Sequence, residues 1–431
     1  MSRILFLTQV LPYPLDSGAK VRAYYMLRHL VGDHEVTLVS FVRPGDSAEA
    51  IGHLRGFCAA VHTVPMRRSG WRNLRAGLKG LLTGLPVVIA RDEMAEMSQL
   101  LRRLTGQISF DVIHADQLSM AGWGLQAAQA ARAAGGTPRT LLDEHNAVYL
   151  LAERMAVTET RLLRRLVMER EARAFRRYER TMCRQYDALL TVTAEDREHL
   201  LALFSPAERA VARRTETASA LRTETASALC KFTVVPICVD PEAVQPIARA
   251  HDGPPMILHL GTMFWPPNIY GVQWFAREVL PRVRAAAPEA RFVVIGKGPP
   301  PEVTGLASDP RIEVTGYVVD PAPYLAAADV FVVPLHAAGG MRVKILDAWL
   351  WGVPIVSTPI GAEGIECRDG ENLLIAETAP AFAAAVVRLL TDGALNGRLR
   401  AAGRRWAEER YGWQEVYGLV DSVYAGLSGS P

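Results

Sequence analysis

Short apolar runs alternate with longer stretches of helical periodicity from one end of the chain to the other. Each run has the length of a buried strand and is bounded by turn-forming or charged residues. The first half is predicted to contain strands at Ile4–Leu7, Glu35–Phe41, Ala60–Val64, Asp111–His114, Thr140–Glu144 and Leu189–Thr193, and the second half at Phe232–Val235, Met256–Leu260, Arg291–Gly296, Ile312–Thr315, Val330–Pro334 and Pro354–Ser357. Strands and helices in alternation predict parallel sheets that helices cover on both faces.

The chain has 431 residues, which is too many for one hydrophobic core and fits two domains of roughly 200 residues each. We predict an α/β fold of two doubly wound, Rossmann-like parallel sheets that face an interdomain cleft, because such sheets bind ligands beyond the carboxyl ends of their strands. The predicted domains are residues 1–240 and 241–403, with the Pro-rich segment 232–246 as the hinge. Residues 404–431 are predicted to form a helix that crosses back to the first domain.

The composition, with 49% apolar and 22% charged residues, is that of an ordinary soluble globular protein. The five cysteines form no C-x-x-C pair, so neither a zinc site nor a disulfide framework is indicated and a reducing cytosol is expected. The apolar run Ile4–Leu7 is too short for a secretion signal, and no run reaches the roughly 18 residues of a transmembrane helix. The formal charge is +7 over residues 1–240 and −4 over residues 241–431, so the basic surplus belongs to the first half.

The segment GGMRVKILDAWLWGVPIVSTPIGAEG, residues 339–364, carries the strongest chemical signal. It places Arg342, Lys344 and Asp347 at the start of an apolar helix that leads into a buried strand. Two cations and free helix N–H groups suit a diphosphate, and a carboxylate one turn further on can accept hydrogen bonds from ribose hydroxyls. We therefore predict a nucleotide-sugar substrate, with Gly340 and Met341 beside the cations.

Two further loops are predicted to lie at carboxyl ends of strands. Gly296 opens G-K-G after the strand Arg291–Gly296, although a lone G-x-G is a weak signal that also fits a tight turn. Gly18 lies between the first strand and the first helix, where it allows the backbone to approach a phosphate closely. The same residues also fit an ordinary helix N-cap formed by Asp16 or Ser17.

The second half resembles the retaining GT-B glycosyltransferases of family 4, and in detail the bacterial sugar transferases of exopolysaccharide clusters. The matching segments are LHLGTMFWPPNIYGVQWFAREVLPRV (258–283), VVIGKGP (293–299), VTGYVVDPAPYLAAADVFVVPL (314–335) and residues 339–364. The first half is matched through ILFLTQVLPYPLDSGAKVRAYYMLRHL at the start, FDVIHADQ and LLDEHNAVY. The resemblance implies a GT-B fold, a nucleotide-sugar donor, and retaining transfer without a metal or a cofactor.

The resemblance also assigns donor contacts. Asp347 would bind the ribose hydroxyls, Glu363 a sugar hydroxyl, and Gly316, Tyr317 and Val318 the base. The family has two glutamates separated by seven intervening residues in its donor site, and here the first falls on Gly339 and the second on Asp347. The family's Arg and Lys after the first strand of the second domain are absent, because Thr262 follows Gly261. The diphosphate is therefore expected to rest on Arg342 and Lys344.

Three residues of the first half are candidates for the acceptor side. His114 ends the strand in FDVIHADQ, and Asp116 stands where the family often has a second histidine that faces the transferred sugar. His145, in DEHN, follows the next strand. A carboxylate can accept a proton from a hydroxyl only weakly unless desolvation raises its pKa, and a lone histidine also fits a structural role.

Two basic stretches of the first half have no part in this chemistry. Residues 66–79, MRRSGWRNLRAGLK, combine five cations (Arg67, Arg68, Arg72, Arg75, Lys79) with Trp71 and leucines, as a helix on an anionic bilayer would. Residues 161–184 form a predicted long Arg-rich helix, for which a solvated face is the simplest interpretation. No nucleic-acid module accompanies either stretch.

We therefore expect a cytoplasmic glycosyltransferase of polysaccharide biosynthesis, peripheral on the inner face of the plasma membrane. It would move a sugar from a UDP- or GDP-sugar to a saccharide, lipid-linked or small-molecule acceptor. Two alternatives stay open: a nucleotide-sugar 2-epimerase of the same fold, and a non-catalytic membrane-docking partner in polysaccharide assembly. A nicotinamide-dependent dehydrogenase is disfavoured, because no G-x-G-x-x-G follows Ile4–Leu7. The tandem RTETASAL at 214–221 and 222–229 is predicted to be an insertion in an exposed linker.

Overall fold

The computed structural model describes residues 1–67, 69–159, 161–209, 232–244, 253–337 and 341–428. The chain divides into two compact units, each with its own parallel sheet. The first unit comprises residues 1–238 together with 416–431, and the second unit comprises residues 239–415. The duplicated RTETASAL segment and Gly340 lie outside the described residues.

The first unit contains a seven-stranded sheet in the order β3-β2-β1-β4-β5-β6-β7. All neighbouring strands are parallel. The strands are β1 (Arg3–Thr8), β2 (Glu35–Val42), β3 (Ala60–Pro65), β4 (Val112–Asp116), β5 (Arg139–Glu144), β6 (Ala188–Thr191) and β7 (Phe232–Val234). Nearly every residue of β1, β4 and β5 is buried, since helices cover both faces of the sheet.

Nine helices connect these strands within the described residues. They are α1 (Gly18–Asp33), α2 (Ala48–Arg55), α3 (Gly70–Thr83), α4 (Val87–Arg91), α5 (Ala95–Gln107), α6 (Leu118–Ala133), α7 (Val148–Thr158), α8 (Leu162–Gln185) and α9 (Ala194–Leu201). Glu179 of α8 ties the hairpin of α7 and α8 together, because its carboxylate accepts hydrogen bonds from the N–H groups of Val148 and Tyr149 at the start of α7.

The second unit contains a six-stranded sheet in the order β10-β9-β8-β11-β12-β13, again with all neighbours parallel. The strands are β8 (Met256–Leu260), β9 (Arg291–Ile295), β10 (Ile312–Gly316), β11 (Val330–Val333), β12 (Ile355–Ser357) and β13 (Leu374–Ile375). Apolar side chains of these strands pack with the helix that ends in the π-helical turn Phe275–Val279 and with the helix Ala379–Thr391.

The helices of the second unit are mostly short. They are α10 (Pro266–Trp274), α11 (Leu280–Ala286), α12 (Pro301–Thr304), α13 (Ala322–Ala327), α14 (Val343–Leu350), α15 (Pro359–Ala362), α16 (Ala379–Thr391) and α17 (Gly393–Tyr411). Short 3-10 turns lie at Pro241–Ala243 and Gly305–Ser308. No described helix of either unit is both long and apolar enough to cross a membrane.

The C-terminal segment differs from the single helix predicted from about residue 404. The helix α17 ends at Tyr411, and a separate helix, α18 (Trp413–Ser428), follows. Residues from Val416 onward belong to the first unit. There the hydroxyl of Tyr417 donates to the backbone oxygen of Arg22 at 2.9 Å, and Tyr424 is buried beside His114.

The predicted fold class is confirmed, and each predicted strand has a counterpart in the structure within two residues at either end. The strand at Phe232 belongs to the edge of the first sheet, although it follows the long segment that leads to the second half. The two-residue strand β13 was not predicted, because Leu374–Ile375 is too short for a periodic signal.

The order of strands reverses once in each sheet. In the first sheet the reversal lies between β1 and β4, and in the second it lies between β8 and β11. Loops that leave adjacent strands in opposite directions open a crevice at this point, which is where doubly wound sheets bind their ligands. The loops after β1, β4, β8 and β11 therefore border the two crevices.

Close packing of α17 on α14 gives a stability prediction. A β-carbon on Gly403 would lie 2.3 Å from Cδ1 of the buried Trp349 ring, which is held by a hydrogen bond from Nε1 to the oxygen of Asn372. We expect Gly403→Ala to lower the free energy of unfolding by about 1–3 kcal/mol. Gly397→Ala in the same helix meets no atom within 4 Å and should raise it by roughly 0.5–1 kcal/mol. Urea titration of both variants measures these free energies of unfolding. Equal changes in the two variants would contradict the close packing of Gly403 on Trp349.

Candidate functional site

In the second unit, the loops after β8 and β9 approach each other more closely than side chains allow. A β-carbon on Gly296 would lie 1.7 Å from the carbonyl oxygen of Gly261. The N–H of Gly261 in turn donates to the oxygen of Ile295 at 2.9 Å. Glycine at both positions therefore lets the backbone of the β8 loop lie directly against the end of β9.

Asn268 fixes the loop after β8 from the first turn of α10. Its side-chain nitrogen donates to the oxygen of Thr262 at 2.9 Å, and its side-chain oxygen accepts from Nζ of Lys344 at 3.0 Å. A β-carbon on Gly261 would lie 2.8 Å from Nζ of Lys344. The ammonium group of α14 thus lies against the bare backbone of the β8 loop, at the reversal point of the sheet.

The two cations predicted to hold a diphosphate lie in the interior of this site. Arg342 is 5% exposed and precedes α14, and Lys344 is half-buried in its first turn. Desolvation, followed by the like charge of Arg342, lowers the pKa of Lys344 to about 7. A bound anion would offset both the desolvation of the Lys344 ammonium and its repulsion by Arg342. The arrangement therefore favours a negatively charged ligand at this point.

His259 adds a neutral imidazole behind Lys344. It is fully buried on β8, and Nδ1 lies 2.9 Å from the oxygen of Val332, to which it donates when it carries the proton. Burial and the nearby charge of Lys344 lower the pKa of His259 to about 3. The imidazole is therefore uncharged at neutral pH and adds no third positive charge to the site.

Asp347 lies one turn along α14, with its side chain exposed to solvent. The exposed carboxylate can accept hydrogen bonds from hydroxyl groups of a ligand. Its exposure indicates that the carboxylate is available to a ligand and does not pack in the core.

The predicted base contacts lie at the end of the neighbouring strand. Gly316 ends β10 with φ +72°, and its oxygen accepts from the N–H of Gly296 at 2.9 Å. Tyr317 is 61% exposed, with Nζ of Lys297 5.9 Å from its ring centre, and Val318 is half-buried. Gly261, Gly296 and Gly316 therefore follow three adjacent strands along one edge of the sheet.

The first two residues of the loop expected at residues 361–364 are helical. Thr358 caps α15 by accepting from the N–H of Gly361, and Glu363 follows the last residue of that helix. A β-carbon on Gly361 would lie 2.5 Å from the oxygen of Val333, so this glycine allows α15 to pack on the end of β11. Met341 is 9% exposed and contributes apolar contacts rather than a polar group.

In the first unit, a buried ion pair lies beside the reversal point. The guanidinium of Arg22, fully buried on α1, binds both carboxylate oxygens of Asp143 at 2.7–3.0 Å. It also donates to the backbone oxygens of Val235 and Pro236. Burial alone would raise the pKa of Asp143, but the charge and hydrogen bonds of Arg22 outweigh this and hold it below its usual range.

His145 and Asp116 form a hydrogen-bonded pair next to that ion pair. Nε2 of His145 lies 2.8 Å from Oδ1 of Asp116 and 3.9 Å from Oδ2 of Asp143. Asp116 is fully buried, and desolvation raises its pKa although His145 opposes the shift. Only His145 reaches solvent, with 11% of its side chain exposed, so it is the member of the pair that can meet a substrate.

His114, a candidate for the acceptor side, lies in the interior of the first unit. It is fully buried, its ring centre lies 4.1 Å from that of Phe6 with the two rings tilted by 30°, and its Nδ1 lies 2.6 Å from the hydroxyl of Tyr424. Burial lowers its pKa to about 3, so it is neutral. His114 therefore holds the C-terminal helix α18 on the sheet and cannot contact a substrate from this position.

Asp116, Asp143 and His145 bring ligand atoms within 4.8 Å of one another, as a metal site would. Both oxygens of Asp143 are already bound by Arg22, and one oxygen of Asp116 by His145. A metal ion would also meet the charge of Arg22 close by. The donor set fits a closed charge network better than a metal centre.

Backbone strain marks the loop after β4. Gln117 is the only described residue other than glycine with a positive φ, at 73°, and it directly follows Asp116. Such a conformation persists where the surrounding structure holds it, often at a binding site. Gly18, at the start of α1, opens the facing loop, where Lys20 pairs with Asp16 at 2.9 Å.

The sequence motifs give no role to three residues of these sites, which are Arg22, Asp143 and Asn268. A signal was present for the first two: each is a charge at a core position, one on the apolar face of a helix and one inside a buried strand. A charge at such a position requires a buried partner. The only signal for Asn268 was its position directly after two prolines at the start of a helix.

The buried ion pair gives a second prediction. Removal of its cation by Arg22→Ala leaves Asp143 charged and buried, so we expect a loss of about 3–5 kcal/mol of unfolding free energy. The exposed pair Arg139–Asp187, at 3.3 Å, serves as the control, because Arg139→Ala should cost less than about 1 kcal/mol. The double variant Arg22→Met/Asp143→Leu should recover much of the loss. Denaturant titrations of the wild type and the three variants measure their free energies of unfolding. Similar losses of unfolding free energy in Arg22→Ala and Arg139→Ala would contradict a stabilising network.

Two protein-family models match the chain. One described as "Glycosyl transferase 4-like domain" matches residues 17–214, and one described as "Glycosyl transferases group 1" matches residues 254–392. Together they cover most of the chain, and each lies mainly within one of the two units.

Curated relatives match over shorter lengths. The phosphatidyl-myo-inositol mannosyltransferase of Mycobacterium leprae is 28% identical over 153 residues, which are 34% of this chain and 41% of that protein. The lipopolysaccharide core biosynthesis glycosyltransferase LpsE of Rhizobium meliloti is 36% identical over 102 residues, 23% of this chain and 30% of that protein. The match thus spans less than half the length of either relative.

Solved structures are similar over nearly the whole length. Anabaena HepE in complex with UDP and glucose has a TM-score of 0.65 at 12% identity, with 99% of this chain and 100% of that chain covered. WaaG, a glycosyltransferase involved in lipopolysaccharide biosynthesis, has a TM-score of 0.60 at 14% identity, with 99% and 100% covered. At such identity the likeness establishes the fold alone. With both family models matched in order and this fold, the chain belongs to the GT-B glycosyltransferases of family 4.

Proposed function

We propose that the protein is a retaining glycosyltransferase that moves a sugar from a UDP- or GDP-sugar to a saccharide, lipid-linked or small-molecule acceptor. The observation that carries this proposal is the ammonium group of Lys344 against the bare backbone of Gly261. A desolvated cation at the reversal point of a parallel sheet is suited to a diphosphate.

The second unit would hold the donor. Lys344 and Arg342 would neutralise the diphosphate as the bond to the sugar breaks, because negative charge grows on the leaving group at that step. Asp347 would accept hydrogen bonds from the ribose hydroxyls. Gly316, Tyr317 and Val318 would border the base, and Glu363 would contact the sugar.

The first unit would hold the acceptor through His145. Asp116 accepts a hydrogen bond at 2.8 Å when Nε2 of His145 carries the proton, which leaves Nδ1 to accept from a hydroxyl group. Asp116 is then a positioning residue, and the same holds for Arg22 and Asp143 behind it. Retaining transfer needs no protein nucleophile here, since the departing diphosphate can take the acceptor's proton. The anomeric configuration of the product, measured by NMR, tests retention.

The relatives support the kind of substrate. Several are named phosphatidyl-myo-inositol mannosyltransferase, and one is named a GDP-mannose-dependent mannosyltransferase of a phosphatidylinositol monomannoside. HepE has been crystallised with UDP-glucose. These names favour a nucleotide-sugar donor and an acceptor on a lipid or saccharide, and we place the reaction in the cytoplasm at the inner face of the plasma membrane.

Removal of the ammonium group is the sharpest test of the donor site. We expect Lys344→Ala to lower turnover of the preferred UDP- or GDP-sugar by at least about 100-fold, because one preorganised charge at the leaving group is worth several kcal/mol. Arg388→Ala, in the same unit and on α16, is the control and should leave turnover unchanged. Circular dichroism and thermal melting check that both variants fold. Unchanged turnover of folded Lys344→Ala would refute the assignment.

The lowered pKa of Lys344, about 7, gives a pH dependence. The ammonium is charged below this pH and is lost above it, whereas an intact nucleotide sugar keeps a constant charge between pH 6 and 8. The Kd for the donor should therefore rise by about tenfold from pH 6 to pH 8, as calorimetry can measure. Lys344→Arg should flatten the curve, because arginine stays charged. A flat profile for the wild type would contradict a diphosphate contact.

The acceptor side is tested by His145→Ala. Transfer to the acceptor should fall by about 100-fold or more, because His145 would orient the acceptor hydroxyl towards the departing diphosphate, while the Kd for the donor stays unchanged. Asp116→Asn should give a smaller loss and shift the pH profile of transfer. His62→Ala, on the edge strand β3, is the matched control. Equal loss of donor binding in His145→Ala would contradict its place on the acceptor side.

The same assay separates the remaining alternatives. Turnover that survives excess EDTA is expected, because Arg22 already binds both oxygens of Asp143; EDTA sensitivity restored by a divalent cation would instead support a metal at Asp116, Asp143 and His145. Conversion of the donor sugar to its 2-epimer without acceptor would support the epimerase. Failure to bind any nucleotide would support the non-catalytic partner.

A further inference from the structure

Exposed apolar side chains of the first unit are concentrated in two windows. Among its described residues, 14 large hydrophobic side chains are exposed, and 12 of them lie within residues 71–88 and 155–167. The other two are Met1 and Leu419. Single exposed hydrophobics are ordinary on a protein surface, but two clusters of six mark a surface that meets another apolar phase.

The helix α3 turns its large side chains outward. Trp71 is 81% exposed and Leu82 87%, and with three further leucines they fall within an arc of about 100° on the helix. The opposite side, which packs against the protein, carries the small residues Ala76 and Gly80. A helix that buries only small residues and exposes tryptophan and leucine is inverted relative to an ordinary surface helix.

The turn between α7 and α8 forms the second cluster. Every residue from Arg161 to Val167 is exposed, so the first turns of α8 extend beyond the packed body of the unit. Leu162 and Leu163 are 71% and 79% exposed. The exposed apolar residues of this cluster are Met155, Val157, Leu162, Leu163, Leu166 and Val167. Arg161, Arg164 and Arg165 lie among them.

The two clusters adjoin. Arg170, less than one turn beyond Val167, donates to the backbone oxygen of Gly80 near the end of α3. Glu171 accepts from the N–H of Val87 at 2.8 Å, which ties the start of α4 to the same part of α8. The outward faces of α3 and of the α7–α8 turn are therefore parts of one surface, which we call the docking surface.

Charge indicates what the docking surface meets. Residues 66–83 contain five cations and no acidic residue, and the three cations within α3, Arg72, Arg75 and Lys79, border the apolar arc on one side. Basic residues beside an apolar stripe with tryptophan are suited to a bilayer of anionic lipids, where the apolar side chains enter the headgroup boundary and the cations remain in the headgroups. A soluble acidic partner would need an apolar face whose shape matches both clusters, whereas a bilayer can accommodate both clusters without a matched shape.

The inner side of α3 adds a cavity to this surface. The cavity has a volume of 770 Å³ and is lined by Arg72, Arg75 and Lys79 from α3, and by Trp123 and Met182 from α6 and α8. Lys79 is paired with Glu93. Four cations and two carboxylates, Glu93 and Glu96, line the cavity beside its apolar wall, and this surplus of positive charge suits the headgroup region of an anionic lipid.

We propose that α3 and the α7–α8 turn together dock the first unit on an anionic phospholipid bilayer, with Trp71 and Leu163 as the principal anchors. Resting on the proposed function, this narrows the acceptor to a lipid-linked molecule presented at the membrane surface. The two clusters act as one, so loss of either should weaken binding and loss of both should abolish it.

Sedimentation with vesicles tests the proposal in the absence of any substrate. The full chain is mixed with vesicles of phosphatidylcholine alone or with about one third phosphatidylglycerol. We expect binding only to the anionic vesicles, and a fall of about tenfold or more in partition for Trp71→Glu and for Leu163→Glu separately. Leu419→Glu, at an exposed leucine of the same unit that lies outside both clusters, should bind as the wild type does.

The outcomes separate this proposal from the enzymatic one. Donor hydrolysis by Trp71→Glu should equal that of the wild type, since the helix lies in the other unit from Lys344. Wild-type binding to neither vesicle, or equal binding by wild type, Trp71→Glu and Leu163→Glu, would overturn the docking surface and leave the proposed activity standing. Self-association that both variants abolish, without vesicle binding, would overturn it in favour of a second copy of the chain.

Discussion

The contact between the backbone of Gly261 and that of Gly296 is the constraint on which the donor site depends. A β-carbon on Gly296 would lie 1.7 Å from the carbonyl oxygen of Gly261, and one on Gly261 would lie 2.7 Å from the side-chain nitrogen of Asn268 and 2.8 Å from Nζ of Lys344. The loop after β8 can therefore lie flat against β9, and Asn268 holds it there by a hydrogen bond to Thr262. Only this arrangement brings a free stretch of backbone to the ammonium group of Lys344.

The first unit keeps several charged groups in its interior. Arg22 binds Asp143 through two oxygens and also reaches the backbone of Val235 and Pro236. Beside it Asp116 is paired with His145. On the opposite face of β5, Glu144 is fully buried, and burial and neighbouring carboxylates raise its pKa well above the usual range. Neighbouring acids in one strand thus have pKa values shifted in opposite directions, and only His145 connects this network with solvent.

The strands could be predicted because each is a short apolar run between helices, a signal that resides in neighbouring residues. The cations Arg342 and Lys344 could be named because the segment that carries them is contiguous. The surroundings of His114 could not be predicted, since the sequence places it at the end of a strand but does not reveal that Tyr424, 310 residues later, packs on it. The ion pair of Arg22 with Asp143 spans 121 residues, and the outward direction of Trp71 depends on which face of α3 is packed. Such features arise from tertiary contacts, which no local pattern contains.

The donor site is tested most directly by a crystal structure of the full chain with an unhydrolysed UDP- or GDP-sugar. We expect the diphosphate within hydrogen-bond distance of Nζ of Lys344 and of the backbone N–H groups around Gly261 and Thr262, with the ribose at Asp347. A diphosphate bound elsewhere in the second unit, with Lys344 still bonded only to Asn268, would contradict it.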